Sequence, residues 1–429
     1  MNRIILIGNG FDLAHGLPTR YEDFIKWYWE QRLLHFAKNT TDVDKDALCG
    51  FKLSGEHGFE TWADFFLRKE EKFWPKGTTG FQYFKDMKQY KDTYGTEVSA
   101  FMDNICRDIE MNGWVDIEEE YYRLMKKCKE NALKAGFTIV ELNEQLSCLC
   151  DSLQRYLITV QKKNKITVNN LLRDFMYEPI KTDDVSVSGQ YLLLDSFKDW
   201  LSQKEEEWIK RLYWYGKDYR FSIGDLHRFR DEYQSCMIDR ESEIKVLNDY
   251  NSRYGVEIGL LPERVLFLSF NYTNTIQGYV NKCDSFKINY IHGTTDKRCS
   301  MIFGYGDELD KDYNDILNLN DNEYLRNMKS DKYLESSNYR NMLSFIESAP
   351  YQVYIMGHSC GNSDRTLLNT LFEHRNCVTI KPFYYKQDEL TDNYLDIVQN
   401  ISRNFTDMKL MRDRVVNKTF CEPLPQCAC

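Results

Sequence analysis

The chain has 429 residues, 42% hydrophobic and 14% aromatic, enough for two or three average domains or for one α/β core with a long insertion. Its net charge of −10 and the lack of a long Lys/Arg run argue against nucleic acid as a partner. No apolar run approaches the roughly 18 residues of a spanning helix, and a core strand starts directly after Met1-Asn2-Arg3. Neither a membrane anchor nor a signal peptide is expected, and the chain reads as cytoplasmic.

Residues 4–7 (IILI) form a short apolar run stopped by glycine, the pattern of a parallel strand buried on both faces. Gly8-Asn9-Gly10 follows, then Gly16 and Pro18, giving G-x-G-x5-G-x-P rather than the G-x-G-x-x-G of dinucleotide dehydrogenases. Glycines at such a strand end let backbone N–H groups approach a phosphate, although a plain turn fits the same residues. Residues 21–34 read as a helix. From about residue 40 to 115, helices joined by loops are expected around the pairs Phe65-Phe66 and Phe73-Trp74.

Asp116 can cap a helix whose acidic first turn, Glu118, Glu119 and Glu120, suits the helix dipole. Ile139, Leu142, Leu146, Leu149, Leu153, Tyr156 and Val160 are spaced three and four residues apart, the seam of a long helix packed on another helix. That seam serves either an intramolecular contact or a homo-oligomer. Residues 204–215 form a further amphipathic piece. The composition then changes to short apolar runs at 265–270, 288–293, 301–306, 353–359 and 377–385, most of them followed by glycine or polar residues. These are the strands of a parallel sheet with functional loops at their carboxyl ends. Residues 1–34 and 261–415 therefore make a discontinuous α/β domain, 35–260 a helical insertion, and 416–429 a C-terminal tail. Thirteen cysteines are scattered with no C-x-x-C pair, so buried thiols are expected and no metal.

The strand ends carry chemistry. Asn271 and Thr273 follow one strand, His292 the next, and Gly357, His358 and Ser359 another, with Asp364 near a helix start. A doubly wound sheet gathers such ends on one edge, where they converge with Gly8 and Gly10.

In chain order these residues resemble the sirtuin motifs. The two glycines, Gly16 and Pro18 match the offsets of the sirtuin opening, and Asn271 is similar to the Asn of Q-N-x-D. His292-Gly293 resembles the catalytic His-Gly pair, Phe303-Gly304 the later Phe-Gly, and Gly357-x-Ser359 the Gly-Thr-Ser that closes on the nucleotide. Three departures stand out: the four zinc cysteines are absent, Thr273 replaces the Asp of Q-N-x-D, and Asp12 replaces the Ser of the opening loop. The longer strings ILIGNGFDLAHGLPTRYEDF, GWVDIEEEYY, LSFNYTNTI, NYIHG and YIMGHSCGNSD resemble the bacteriophage abortive-infection family AbiH over most of the chain.

The resemblance implies an α/β sirtuin-like Rossmann parallel sheet with a large, mainly helical insertion after the first strand. It implies an antiphage effector that hydrolyses NAD to nicotinamide and ADP-ribose, with NAD as substrate and a phage-derived trigger; loss of the zinc cysteines argues against deacylation. Asn271 and His292 would be catalytic. Gly8, Asn9, Gly10 and Phe11 would hold the pyrophosphate within the motif closed by Gly16 and Pro18, and Asp12 would touch the nicotinamide side. Gly357, Ser359 and Asp364 would contact the adenosine half, and His358 in the same loop would be a cofactor-binding residue.

Plainer roles stand beside these. Asn271 can cap a helix, His358 can be structural, His15 can serve packing, and Trp62, Asp64, Trp114, Asp116 and Glu118 read as helix starts and packing. His35, His57, His227 and His374 have no partner motif. Rival functions are a regulatory module that binds NAD or an ADP-ribose derivative without turnover, an ADP-ribosyltransferase, and a helical interaction protein.

Overall fold

The N-terminal apolar run forms the middle strand of a five-stranded sheet in which all neighbours are parallel. A computed structural model describes residues 1–38, 43–52, 97–112, 115–215, 260–296 and 301–427, with 224, 227–228, 230–231 and 239–245. The features expected at His57, Trp62, Asp64, Phe65-Phe66, Phe73-Trp74 and Trp114 lie outside the described residues. The chain divides into two compact units. One comprises Met1–Gly16, Ile166–Thr294 and Tyr333–Cys429, the other Leu17–Lys165 and Thr295–Lys332.

The first unit holds the large sheet. Its strands are β1 (Asn2–Ile7), β5 (Val265–Ser269), β6 (Phe286–Tyr290), β7 (Tyr351–Met356) and β8 (Cys377–Phe383), ordered β6-β5-β1-β7-β8. From β1 the chain steps outward through β5 and β6 on one side, then returns to place β7 and β8 on the other. The carboxyl ends of β1 and β7 therefore flank the point where the strand order reverses, the place where open α/β sheets form a crevice. Every residue of β1, β5, β7 and β8 is buried, including the polar Arg3, Gln352, Thr379 and Lys381 near the strand starts and in β8. Ile5, Ile7, Val265, Phe267, Tyr354 and Val378 share a core with Leu194, Phe197 and Trp200 of the helix Val187–Leu201 and with Trp208 of the helix Glu205–Tyr215.

The unit boundaries differ from those read in the sequence. Residues 166–215 join the sheet because their aromatic face fills its core, whereas 17–34 belong to the helical unit. The segment read as a tail also joins the sheet. Val416 N donates to Ile380 O at 2.9 Å and Leu424 N to Tyr384 O at 2.7 Å, so 415–424 covers the open edge of β8. Cys427 N then donates to Ala14 O at 2.7 Å.

In the second unit the helix Ile139–Lys163 starts at a capping box between Thr138 and Glu141 and buries all seven seam residues. It packs on the helices Tyr21–Lys38 and Ile117–Ala135, so the seam is filled within the chain. Asp116 caps the latter, accepting from the N–H groups of Glu118 and Glu119. β2 (Val43–Lys45), β3 (Cys49–Lys52) and β4 (Glu97–Val98) form a small antiparallel sheet. The run 301–306, read as a strand, is not one: Tyr305 makes a single bridge to Met328 and stacks on Tyr122 at 3.8 Å. A Cβ on Gly304 would lie 2.0 Å from Asn327 O, so the backbone there is packed as a tight turn. Among the described residues no helix is long and apolar enough to cross a membrane.

Candidate functional site

Two backbone segments cross at the end of β1. Gly8 N donates to Met356 O at 3.3 Å, Gly10 N to Gly357 O at 2.8 Å, and Phe11 N to Gly8 O at 2.9 Å. A Cβ on Gly8 would stand 2.4 Å from His358 Cα, and one on Gly357 only 2.1 Å from Phe11 N. Glycine is thus needed for the loops after β1 and β7 to touch. The N–H groups of Gly8, Gly10 and Phe11, which the sequence offers to a pyrophosphate, already donate to protein carbonyls. Those of Gly8 and Gly10 join the ends of β1 and β7, and that of Phe11 closes a turn within the first loop.

The rest of the opening motif divides in the same way. Asn9 begins the short helix Asn9–Ala14 and is exposed. The Phe11 ring is buried against His15 and Tyr279. His15 Nδ1 lies 2.7 Å from Phe11 O, so it carries the proton, leaving Nε2 to accept from Tyr279 OH at 2.5 Å. Burial lowers the pKa of His15, which agrees with a neutral packing role. Gly16, with φ +72°, follows the helix as a left-handed stop. Pro18 belongs to the second unit, where its carbonyl accepts from Tyr156 OH.

Asn271 is buried, and its Nδ2 donates to Gly8 O at 2.9 Å, tying the end of β5 to that of β1. Beside it Asp12 is 1% exposed. Its Oδ2 accepts from Thr273 Oγ1 at 2.6 Å, while Oδ1 is buried without a hydrogen-bond partner. Burial pushes the Asp12 carboxyl up to about 6, against the opposing pull of Thr273, Thr275 and Asn271.

The most concentrated chemistry surrounds Asp364. Its Oδ1 lies 3.1 Å from His292 Nε2 and its Oδ2 lies 3.6 Å from His358 Nε2, with all three side chains buried. Asp364 occupies the cap position of the helix Arg365–Phe372 but makes no side-chain cap bond. The backbone N–H of Cys360 donates to His358 Nδ1 at 3.0 Å, so the neutral His358 ring bears its proton on Nε2, toward Asp364. Phe270 lies against both imidazoles, with ring centroids 5.2 Å from His292 and 4.1 Å from His358. Tyr333 stacks on His292 and brings its hydroxyl within 3.1 Å of Nε2.

The structure therefore groups Asn271 with Gly8 and Asp12, and His292 with His358 and Asp364. Gly357 serves the backbone crossing. Ser359 is exposed, and its carbonyl accepts from Asn400 Nδ2 at 2.8 Å. Phe270 and Tyr333 were missed. Phe270 had a signal in its place between Ser269 and Asn271 at a strand end, whereas Tyr333 comes from a short turn, Tyr333–Glu335, with no motif around it. An imidazole backed by a buried carboxylate is suited to accepting a proton near neutral pH.

Fold and site together define an α/β protein with a His–Asp–His cluster at the carboxyl edge of a parallel sheet. The profile of the family described as bacteriophage abortive infection AbiH matches residues 4–385. The chain belongs to that family, which places it among proteins of phage abortive infection. No curated protein and no solved structure gives a match.

Proposed function

We propose that the protein is an abortive-infection effector that hydrolyses NAD to nicotinamide and ADP-ribose on a sirtuin-like Rossmann core. One observation carries this reading: Asn271 and His292 follow the adjacent strands β5 and β6 at the carboxyl edge of a sheet ordered 3-2-1-4-5 when its strands are numbered along the chain, with Asn271 tied to Gly8 at the end of β1 and His292 to Asp364 after β7. Nicotinamide leaves NAD as a neutral molecule from a cationic ring, so its departure needs no general acid. Cleavage runs through an oxocarbenium-like ribose, and the protein must orient a water and take its proton. Asn271, with an amide donor and acceptor, would hold the ribose or that water; His292 would take the proton.

The cytoplasmic NAD pool is the proposed target and a phage-derived component the proposed trigger. Burial of Asn271, His292 and Asp364 also fits a second reading, a regulatory module that holds an ADP-ribose derivative without turnover. Transfer of ADP-ribose to an acceptor is a third use of the same chemistry.

The test is cellular NAD, with and without phage, in cells carrying the wild type or His292→Ala. Hydrolysis requires NAD to fall only with the wild type during infection, and the variant to lose about 10²-fold or more of the cleavage rate. Protection by the wild type at constant NAD would remove the catalytic reading and leave the binding module.

A further inference from the structure

We infer that Asp364 is the positioning residue of this site: it holds His292 through Nε2, makes Nδ1 the proton-accepting atom, and faces His358 with its other oxygen. The inference rests on the NAD-cleavage reading and replaces the adenosine contact that the sequence offers for Asp364.

The geometry supports this in three steps. An Asp at the start of a helix ordinarily accepts from the backbone N–H groups of the first turn, an arrangement worth about 1 kcal/mol. Asp364 makes no such bond, and its two oxygens face two imidazoles. On one side the tautomer is fixed, because Cys360 N–H donates to His358 Nδ1 and directs Nε2–H toward Oδ2. On the other, a carboxylate 3.1 Å from His292 Nε2 calls for an N–H there, which places the lone pair of the neutral ring on Nδ1. The titratable groups facing His292 include Asp364 from the turn before the helix Arg365–Phe372, Tyr333 from the turn Tyr333–Glu335, and Tyr272 from the loop after β5, whose ring centroid lies 6.3 Å away. His358 stands across the carboxylate from it, and Phe270 closes the aromatic side.

The step balances as follows. Water oxygen forms the bond to ribose C1′ as the C1′–N bond breaks, and that bond's electron pair leaves with nicotinamide, neutralising its ring. One water proton passes to His292 Nδ1. The resulting imidazolium keeps Nε2–H on Asp364 until the proton is released to solvent, so NAD and water give nicotinamide, ADP-ribose and one proton.

The experiment compares the full-length wild type with Asp364→Asn and Asp364→Glu on two substrates, NAD and nicotinamide mononucleotide, which lacks the adenosine half. A positioning role lowers kcat by about 10²-fold or more in Asp364→Asn on both substrates with KM unchanged, and Asp364→Glu regains part of the loss. The acid limb of the pH–rate profile also moves to lower pH, because the imidazolium has lost its anion. A higher KM for NAD with unaltered cleavage of the mononucleotide would overturn the proposal in favour of an adenosine contact. Nitrogen NMR of the wild-type imidazoles reads the same claim without turnover: His292 should carry its proton on Nε2, and its titration midpoint should fall by about one pH unit in Asp364→Asn. An Nδ1–H ring in the wild type would sink the proposal, whether or not NAD is cleaved. The Nε2–H ring in a protein that cleaves neither substrate would instead sink the NAD-cleavage reading and leave the positioning role standing.

Discussion

Thr273 Oγ1 donates a 2.6 Å hydrogen bond to Asp12 Oδ2, a contact between residues 261 positions apart in the chain. The carboxylate follows β1 and the hydroxyl follows β5, so the bond joins the two adjacent strand ends side chain to side chain. Each residue supplies the partner of the other, with Thr273 and Asp12 both buried.

The pair has a pH signature. Burial raises the Asp12 carboxyl from 3.8 to about 6, so the folded chain holds its proton more tightly than the unfolded one. Stability from this group is full below about pH 4, falls as pH rises toward 6, and is lost above. Two units correspond to about 3 kcal/mol. Urea unfolding of the wild type and Asp12→Asn at pH 4 and pH 7 should therefore show the variant gaining on the wild type by about 2–3 kcal/mol over that interval. A constant difference across the range would mean that Asp12 is not charged against its burial in the native state.

Legibility from the sequence followed how local the determining force was. The strands at 265–269 and 351–356 could be read from the apolar runs 265–268 and 353–356, because a parallel strand buried on both faces is mostly apolar. The Ile139–Lys163 seam was equally plain, since one helix face must be apolar at every turn. Residues 301–306 carried the same composition as a strand, but Gly304 fits its backbone against Asn327, a contact that no local pattern encodes. The role of Asp364 was hidden for a related reason. A helix-start Asp looks the same whether it caps its own helix or reaches two imidazoles on distant segments, and only the tertiary arrangement separates the two.

The backbone crossing beneath the site predicts a sharp contrast between two glycines of similar φ. Gly357 (φ +77°) has no room for a Cβ, which would meet Phe11 N at 2.1 Å, whereas a Cβ on Gly136 (φ +78°) would find nothing within 4 Å. Gly136→Ala carries only the left-handed strain, about 1 kcal/mol. Gly357→Ala must also part the loops after β1 and β7, for a cost above about 3 kcal/mol. Thermal unfolding of both variants measures the difference, and comparable midpoints would show that the loops separate easily.

A last prediction concerns the ionic cluster by which the C-terminal segment is held to the sheet. Lys381 is fully buried, with Nζ 2.9 Å from Asp184 Oδ2 and 2.9 Å from Glu422 Oε2, and Lys181 reaches Glu422 Oε1 at 2.9 Å. Lys381→Met removes the cation common to Asp184 and Glu422 and leaves Asp184 buried beside a thioether. Breaking such a pair from one side costs about 3–5 kcal/mol, because the remaining charge has lost its solvent and its partner together. Adding Asp184→Asn removes that stranded charge and should recover most of the loss, so the two substitutions should be far from additive. A double-mutant cycle by urea unfolding reads the coupling directly. Additive losses would mean that Asp184 draws its compensation from elsewhere and that Lys381 serves the segment mainly through Glu422.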